Sequence, residues 1–287
     1  AFVLFAAAVF LIFYYILLPM QGKAVVNYNS ESSLPADDAP LIDDMHYKSK
    51  NIEINIEKHT EKINQDNVIF YVADITLSDI KYFKTLFAQN KYGMNINENP
   101  MLMASRSKAV FAINGDYYGF RDNGIIYRNG VLYRFKPLDN DFLAIYNDGT
   151  IECYSEKDYK SRSDFQSLIN RGLWQTFSFG PSLVQDGKNI VKKENERLYV
   201  YPDHPRTGIG IIEPNHFIII VVDGRIPTSK GMDLKEFADE FVKRGCETAY
   251  NLDGGYSSIM IFNGKRLNAI SGNKTERAMS DIFYISE

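Results

Sequence analysis

The chain is poor in the residues that most directly announce a chemistry. Of its 287 residues, two are cysteine, four histidine and one tryptophan. Cys153 and Cys246 are far apart and offer no zinc-ligand spacing. Nothing in the sequence requires them to pair, so two unpaired thiols is the simpler expectation. There is no excess of positive charge either. Against 36 acidic residues stand 32 Lys and Arg, a net −4 mixed along the chain, which argues against an electrostatic grip on nucleic acid. No G-x-S-x-G elbow and no P-loop occurs, which removes those nucleophile and nucleotide classes.

What is present begins with an uncharged run, "AFVLFAAAVFLIFYYILL", 18 residues ending at Pro19. That is close to the roughly 20 residues that span a hydrocarbon core, and longer than the apolar region of a cleaved secretory signal. No small-residue cleavage site follows directly. The expectation is an uncleaved transmembrane anchor over residues 1–20. The stretch from 21 to 51 is rich in Asn, Ser, Pro and Asp and reads as a flexible linker. One folded domain is expected over 52–287, carried outside the cytoplasm on a single-pass tether.

Within that domain "NVIFYVADITL" and "KAVFAING" have the β-branched and aromatic content of strands. Ser78 is expected to cap a short helix with Ile80, Phe83 and Phe87 on one face. Asn129-Gly130, Asp148-Gly149 and Asn263-Gly264 mark hairpin turns. Ser163 and Gln166 read as a capping box for a helix that stops near Gly172. "TGIGIIEPNHFIIIVVDGR" reads as two strands around a Pro-Asn turn. Asp233 and Glu236 open the clearest helix, which Lys243, Arg244 and Gly245 close. Many hairpins and few helices predict an α+β domain: a mostly antiparallel or mixed β-sheet core with a few flanking helices.

Four stretches share one pattern, an apolar strand bordered at once by polar groups and glycines: "INGDYYG", "FGPS", "HPRTGIG" with "VVDGR", and "NLDGGYSS". Strand ends are where a rigid scaffold presents side chains to a ligand. Asn114 and Asp116 flank Gly115, whose missing Cβ permits close approach. Arg206 offers a planar fork of donors suited to phosphate or carboxylate, with His204 beside it. Asp223 and Arg225 could pair with each other, or Arg225 could face an anion that Asp223 helps to orient. This set of carboxylates, arginines, amides and glycine N–H groups suits an anionic sugar derivative.

In their order and spacing, "AVFAINGDYYGFRDNGIIYRNGVLYR", "FSFGPSLVQDGK", "HPRTGIGI", "VVDGR", "GMDLKEFADEFVKRGCETAYNLDGGYSSIM" and "SDIFYI" resemble the phosphodiester glycosidase family, from about Val68 to the C-terminus. The resemblance implies hydrolysis of a sugar joined through its anomeric carbon to a phosphodiester, releasing the sugar and a phosphomonoester. It implies Asp116, Asp253 and Asp223 as catalytic carboxylates. It implies substrate contacts at Asn114, Gly180, Arg206, Thr207, Gly224, Arg225, Asn251, Gly254, Gly255, Ser257 and Ser258, to which His204 is added for its place beside Arg206. Many members carry a third glycine where this chain has Tyr256, a departure that bears on the pocket's shape.

Phosphate leaves as an acidic group and needs no strong general acid, so charge stabilisation plus one carboxylate at the sugar would suffice. Arg206 and Arg225 are expected to clamp the phosphate, with Asp116 or Asp253 as nucleophile or base. No cofactor is expected. Asp116, Asp223, Asp253 and Asn114 are nevertheless hard oxygen donors that could hold Ca²⁺ or Mg²⁺. The expected partners are a phosphodiester-linked envelope or exopolysaccharide glycan and, through residues 1–20, a membrane. Two other readings remain open: a non-catalytic module that binds glycan phosphates, and a metal-dependent phosphodiesterase that cleaves phosphorus–oxygen bonds.

Overall fold

The computed structural model describes residues 23–24, 40–192, 203–273 and 275–287; the expected membrane anchor lies outside them. Among the described residues no helix is long and apolar enough to cross a membrane. The frame is a nine-stranded sheet. From one edge its strands are Lys188–Asn189, Ser182–Gln185, Thr248–Asn251, Arg206–Glu213, His216–Val222, Asp66–Leu77, Ile52–Ile63, His46–Lys48 and Leu41–Ile42. A five-stranded sheet holds Phe111–Asn114 and Asp281–Ile285 at its centre, and a three-stranded sheet is built on Asp141–Tyr146. Every pairing in these sheets is antiparallel, so the mixed alternative does not arise.

The run "HFIIIVV" explains the layering. Successive side chains on a strand point to opposite faces. Phe217, Ile219 and Val221 face a core shared with Phe111, Ile113, Phe283 and Ile285 of the five-stranded sheet and Leu143 and Phe177 of the three-stranded one. Ile218, Ile220 and Val222 face the opposite way, onto Leu234, Phe237 and Phe241 of a helix. A strand covered on both sides reads as unbroken apolar sequence rather than as an alternation. The result is α+β in composition, β-dominated, with three helices of more than one turn among the described residues. These are α1 (Pro100–Arg106), α2 (Arg162–Asn170) and α3 (Leu234–Lys243).

α3 forms as its sequence dictates. Asp233 accepts from Glu236 N at 2.7 Å while Glu236 reaches back to Asp233 N at 3.1 Å, and Gly245 follows with φ +76°. Three local expectations are revised. The capping box of α2 is Ser161 with Asp164, because the charged Asp164 reaches back to Ser161 N at 2.8 Å. Beyond Ser78 there is one 3-10 turn, Ile80–Tyr82, capped by Asp79. Phe83–Phe87 pairs as an edge strand of the five-stranded sheet, where its two aromatics and Leu86 pack better than on an exposed helix. The sheet also starts before residue 51: His46–Lys48 pairs with Ile52–Ile63, and Tyr47 is buried at 2% exposure in the main hydrophobic core.

α3 lies close on the sheet because Gly208 and Gly210 carry no side chain. A Cβ at Gly208 would sit 2.8 Å from the Phe237 ring and 3.0 Å from Tyr250 O. Gly208→Ala is therefore expected to cost about 1–3 kcal/mol by overpacking. Urea denaturation checks this, and an unchanged midpoint would contradict the packing described.

Candidate active site

Antiparallel register gathers the polar strand ends. Arg206 is opposite Val222, so Asp223, Gly224 and Arg225 leave the sheet where Arg206 enters it. Gly208 is opposite Asn251, and Ser182 is opposite Tyr250, which brings Leu252–Gly255 and Phe179–Pro181 to the same edge. They surround a cleft of about 920 Å³, to which Tyr117, Arg121, Asp141 and Arg277 are added from other loops.

Asp253 sits at the centre of this arrangement. It is half-buried, lines the cleft, and also lines a small chamber of about 10 Å³ shared with Asn114, Ser257 and Asp281. Burial pushes its carboxyl up to about 6, against the opposing pull of the Ser257 hydroxyl and the Arg277 guanidinium. Its Oδ1 accepts from Gly254 N at 2.9 Å. Around it the cleft presents four guanidinium groups, Arg121, Arg206, Arg225 and Arg277, with His204, and two carboxylates, Asp253 and Asp141. Such an excess of cations over carboxylates fits an anion such as phosphate.

The cations are placed by specific contacts. Arg206 is buried, its Nε donating to Met232 O at 3.0 Å, and burial pulls its guanidinium down to about 10. Arg225 donates to His204 Nδ1 at 3.0 Å and lies over the Tyr256 ring at 5.1 Å. An accepting Nδ1 leaves the imidazole proton on Nε2. Burial, Arg206 and Arg225 all lower the His204 pKa, which favours that neutral form. Arg277 lies over Tyr117 and Phe120 at 5.4 and 5.2 Å and donates to Ser257 Oγ.

Several expected site residues serve beneath the cleft instead. Asp116 is fully buried and does not line it. Its oxygens take Ser178 N at 2.8 Å, Tyr118 N at 3.2 Å and Arg128 at 3.0 Å. A carboxylate so held and so buried belongs to the frame beneath the cleft. Asp223 does not pair with Arg225. It accepts from Ala269 N at 2.9 Å, and burial raises it to about 6. Asn114 spends its whole amide on the frame, accepting from Thr207 Oγ1 and Ile259 N and donating to Asp253 O and Gly115 O. Thr207 and Asn114 thus hold the Asp253 loop.

The glycines act by close approach. Gly254 N and Gly255 N are already taken, by Asp253 Oδ1 and by Pro205 O at 2.9 Å, so neither is a spare donor. Cβ atoms at Gly224 and Gly254 would lie 2.8 and 2.7 Å from Pro205 backbone atoms. Gly180 lines the cleft with φ +81° and is held by Asn251, whose Nδ2 donates to Gly180 O at 2.8 Å. Ser257 lines the small chamber; Ser258 is buried, its carbonyl taking Arg266 and Asn268. The positive φ that a glycine-rich turn needs falls on Gly255, so Tyr256 is accommodated without strain. The oxygen donors weighed for Ca²⁺ or Mg²⁺ do not converge. Among the described residues no three His, Cys, Asp or Glu side chains are placed to share an ion. Both described cysteines are free thiols.

Sequence reasoning passed over Arg121, Arg128, Arg277, Asp141 and Asp281. Arg128 is fully buried and bridges Asp116 to Asp281, 3.1 Å away, while stacking on Phe177 at 4.1 Å. Its place inside the hairpin "IIYRNG" gave no sign of this. Asp281 opens "DIFYI" directly after Ser280 and carried the strand-end signature that could have marked it.

Antiparallel sheets whose strand ends frame an arginine-lined cleft around Asp253 give a site with the charge to receive an anion. The phosphodiester glycosidase family profile matches residues 107–286, and the chain belongs to that family. It is 32% identical over 203 residues to the SPbeta prophage-derived uncharacterized protein YomE of Bacillus subtilis, an alignment covering 68% of this chain and 30% of that protein. The chain therefore spans under a third of that relative. Its fold resembles the zebrafish N-acetylglucosamine-1-phosphodiester alpha-N-acetylglucosaminidase catalytic domain, auto-inhibited by pro-peptide, with TM-score 0.67 at 21% identity, covering 94% and 88% of the two chains. A hypothetical protein from Synechocystis superposes with TM-score 0.51 at 13% identity, covering 82% of this chain and 62% of that one.

Removing the shared guanidinium should strand two buried carboxylates. Arg128→Met is expected to lose about 3–5 kcal/mol. The penalty should shrink as pH falls through about 7, the value to which burial has raised the Asp281 carboxyl, since a protonated Asp281 no longer needs the lost cation. Chemical denaturation at pH 7.5 and 4.5 reads both; a loss that does not depend on pH would contradict the ion cluster.

Proposed function

We propose that this domain hydrolyses a glycosyl phosphodiester, with Asp253 at the anomeric carbon and Arg206, Arg225 and His204 on the phosphate. The observation that supports it is the single half-buried carboxylate of raised pKa set among four arginines. Near neutral pH such a carboxylate is ionised yet basic enough to take a proton. The C1–oxygen bond breaks with its electron pair on the phosphate oxygen, where the guanidinium groups stabilise the growing charge. The carboxylate either removes a proton from the attacking water or attacks C1 itself, forming a glycosyl ester whose C1–oxygen bond water then breaks to free the sugar; the anomer first released distinguishes the two. His204, neutral with its proton on Nε2, serves as a donor to a phosphate oxygen. The products are a free sugar and a phosphomonoester.

Membrane tethering outside the cytoplasm and an envelope or exopolysaccharide glycan as substrate extend this reading. The uncharged run of residues 1–18 supports the first. Anionic envelope polymers joined through sugar phosphates would supply the second.

The reading is tested with sugar-1-phosphodiesters of glucose and N-acetylglucosamine. Free sugar should accumulate, and Asp253→Asn should lower kcat/KM by about 10²–10⁴-fold, the usual contribution of a positioned base. In the unaltered protein kcat/KM should fall as pH drops through about 6, where Asp253 takes up a proton. Release of a sugar phosphate in place of free sugar would assign phosphorus–oxygen cleavage and refute the proposal.

A further inference from the structure

A second groove lies against the catalytic cleft, and the two meet at one residue. Its volume is about 620 Å³, and Gln65, Asp66, Asn67, Ile226, Pro227 and Lys230 line it together with Arg225, which also lines the cleft. Arg225 is thus a ridge between two depressions. Its guanidinium is fixed by His204 Nδ1 at 3.0 Å and by the Tyr256 ring below it. The absent side chain of Gly255 leaves the room it occupies, since a Cβ there would be 3.3 Å from Arg225 NH1.

The groove is a built surface. One wall is the hairpin turn around Gln65, the other the loop from Arg225 to Lys230. Ile226 and Ser229 exchange backbone hydrogen bonds at 3.2 and 3.1 Å, and Arg225 N donates to Lys230 O. Ser229 Oγ donates to Asp223 O at 2.7 Å and accepts from Ile69 N at 2.9 Å. Lys230 N donates to Asn67 O at 3.1 Å, which ties the walls together. The groove's lysine is already paired: Lys230 Nζ lies 2.6 Å from Asp66 and 2.7 Å from Asp203 behind it, and Arg225 balances the second carboxylate. What remains for a ligand is two exposed side-chain amides and the Ile226–Pro227 face. Amides that exchange hydrogen bonds with hydroxyls, beside an apolar face for C–H groups, suit a neutral hydroxylated molecule.

A phosphodiester has two ester arms. With the sugar at Asp253 and the phosphate on the cations, the second arm is carried past Arg225. We propose that this groove is the acceptor subsite and that it takes an extended, uncharged, hydroxylated chain, either a polyol or a glycan. The inference rests on the glycosyl-phosphodiester reading of the cleft. It adds that Arg225 touches the phosphate from the acceptor side, and that leaving groups are selected by residues 65–67 and 226–230.

The experiment compares diesters of one sugar-1-phosphate with methanol, ribitol and a linear trisaccharide, following sugar release. The unaltered protein should show kcat/KM at least 10-fold higher for one or both extended acceptors than for methyl. Asn67→Trp, at an exposed strand position, and Pro227→Trp, from the opposite wall, fill the groove without touching the cleft. Both should reduce the extended acceptors to the methyl value and leave the methyl value unchanged. A preference confined to ribitol or to the trisaccharide identifies which chain the groove takes. Equal kcat/KM for all three diesters, or a uniform loss in both variants, overturns the acceptor subsite while leaving the cleft reading intact. Failure to release sugar from any diester sinks both.

Discussion

Arg128 is the interaction on which the site depends. Its guanidinium is shared by two buried carboxylates from different elements, Asp116 beyond the Phe111–Asn114 strand and Asp281 at the start of its neighbour. Taking three charges out of water is costly and is offset only when each finds partners. Asp116 does so by also accepting two backbone N–H groups, from Tyr118 and Ser178. Those bonds fix the loop that delivers Tyr117 and Arg121 to the cleft and the strand end that precedes Gly180. Position 115 must be glycine for the same reason: a Cβ would overlap the Asp281 carboxylate, 2.1 Å away. The surface of the cleft is thus set by an electrostatic knot one layer below it.

Above that layer charge is distributed asymmetrically. The chain as a whole is slightly acidic, yet the cleft is cationic. Guanidinium groups crowded together are self-repelling, and the structure offsets this with aromatic rings under Arg225 and Arg277 and with carbonyl or hydroxyl acceptors for Arg206 and Arg277. An incoming phosphate would relieve the repulsion further. In the proposed cleavage, complementarity to charge that grows on the leaving oxygen would favour the transition state over the ground state.

Much of this was legible in the sequence, for identifiable reasons. Hairpin turns at Asn129-Gly130, Asp148-Gly149 and Asn263-Gly264 are local chemistry, and the α3 capping box is too. The strand-end stretches were recognisable because polar residues beside apolar strands are few, and antiparallel pairing then had to bring several of them to one edge. What stayed hidden depends on distant partners. Nothing local separates Asp116, a sealed structural carboxylate, from Asp253, a presented one; the difference is whether Arg128 and Ser178 N arrive from elsewhere. Arg121 and Arg277 lie in loops whose path is set by tertiary packing. Ile80, Phe83 and Phe87 fall at helical spacing, yet Phe83–Phe87 is a strand, because so short a stretch does not separate the two periods and the pairing partner is distant.

The glycines around Pro205 have a further consequence. Gly224, Gly231 and Gly254 each bring backbone within 3 Å of where a Cβ would strike the His204–Pro205 main chain. Both ends of the Asp223–Asp233 loop and the Asp253 loop are therefore set close on one peptide segment by main chain. Such a joint has no rotamers, so the main chain that carries His204, Arg206, Arg225 and Asp253 is set by backbone contact. Divergence at this site is channelled to the side chains on its rim, as at Tyr256, while the clasp itself admits a single residue type at each of its three positions.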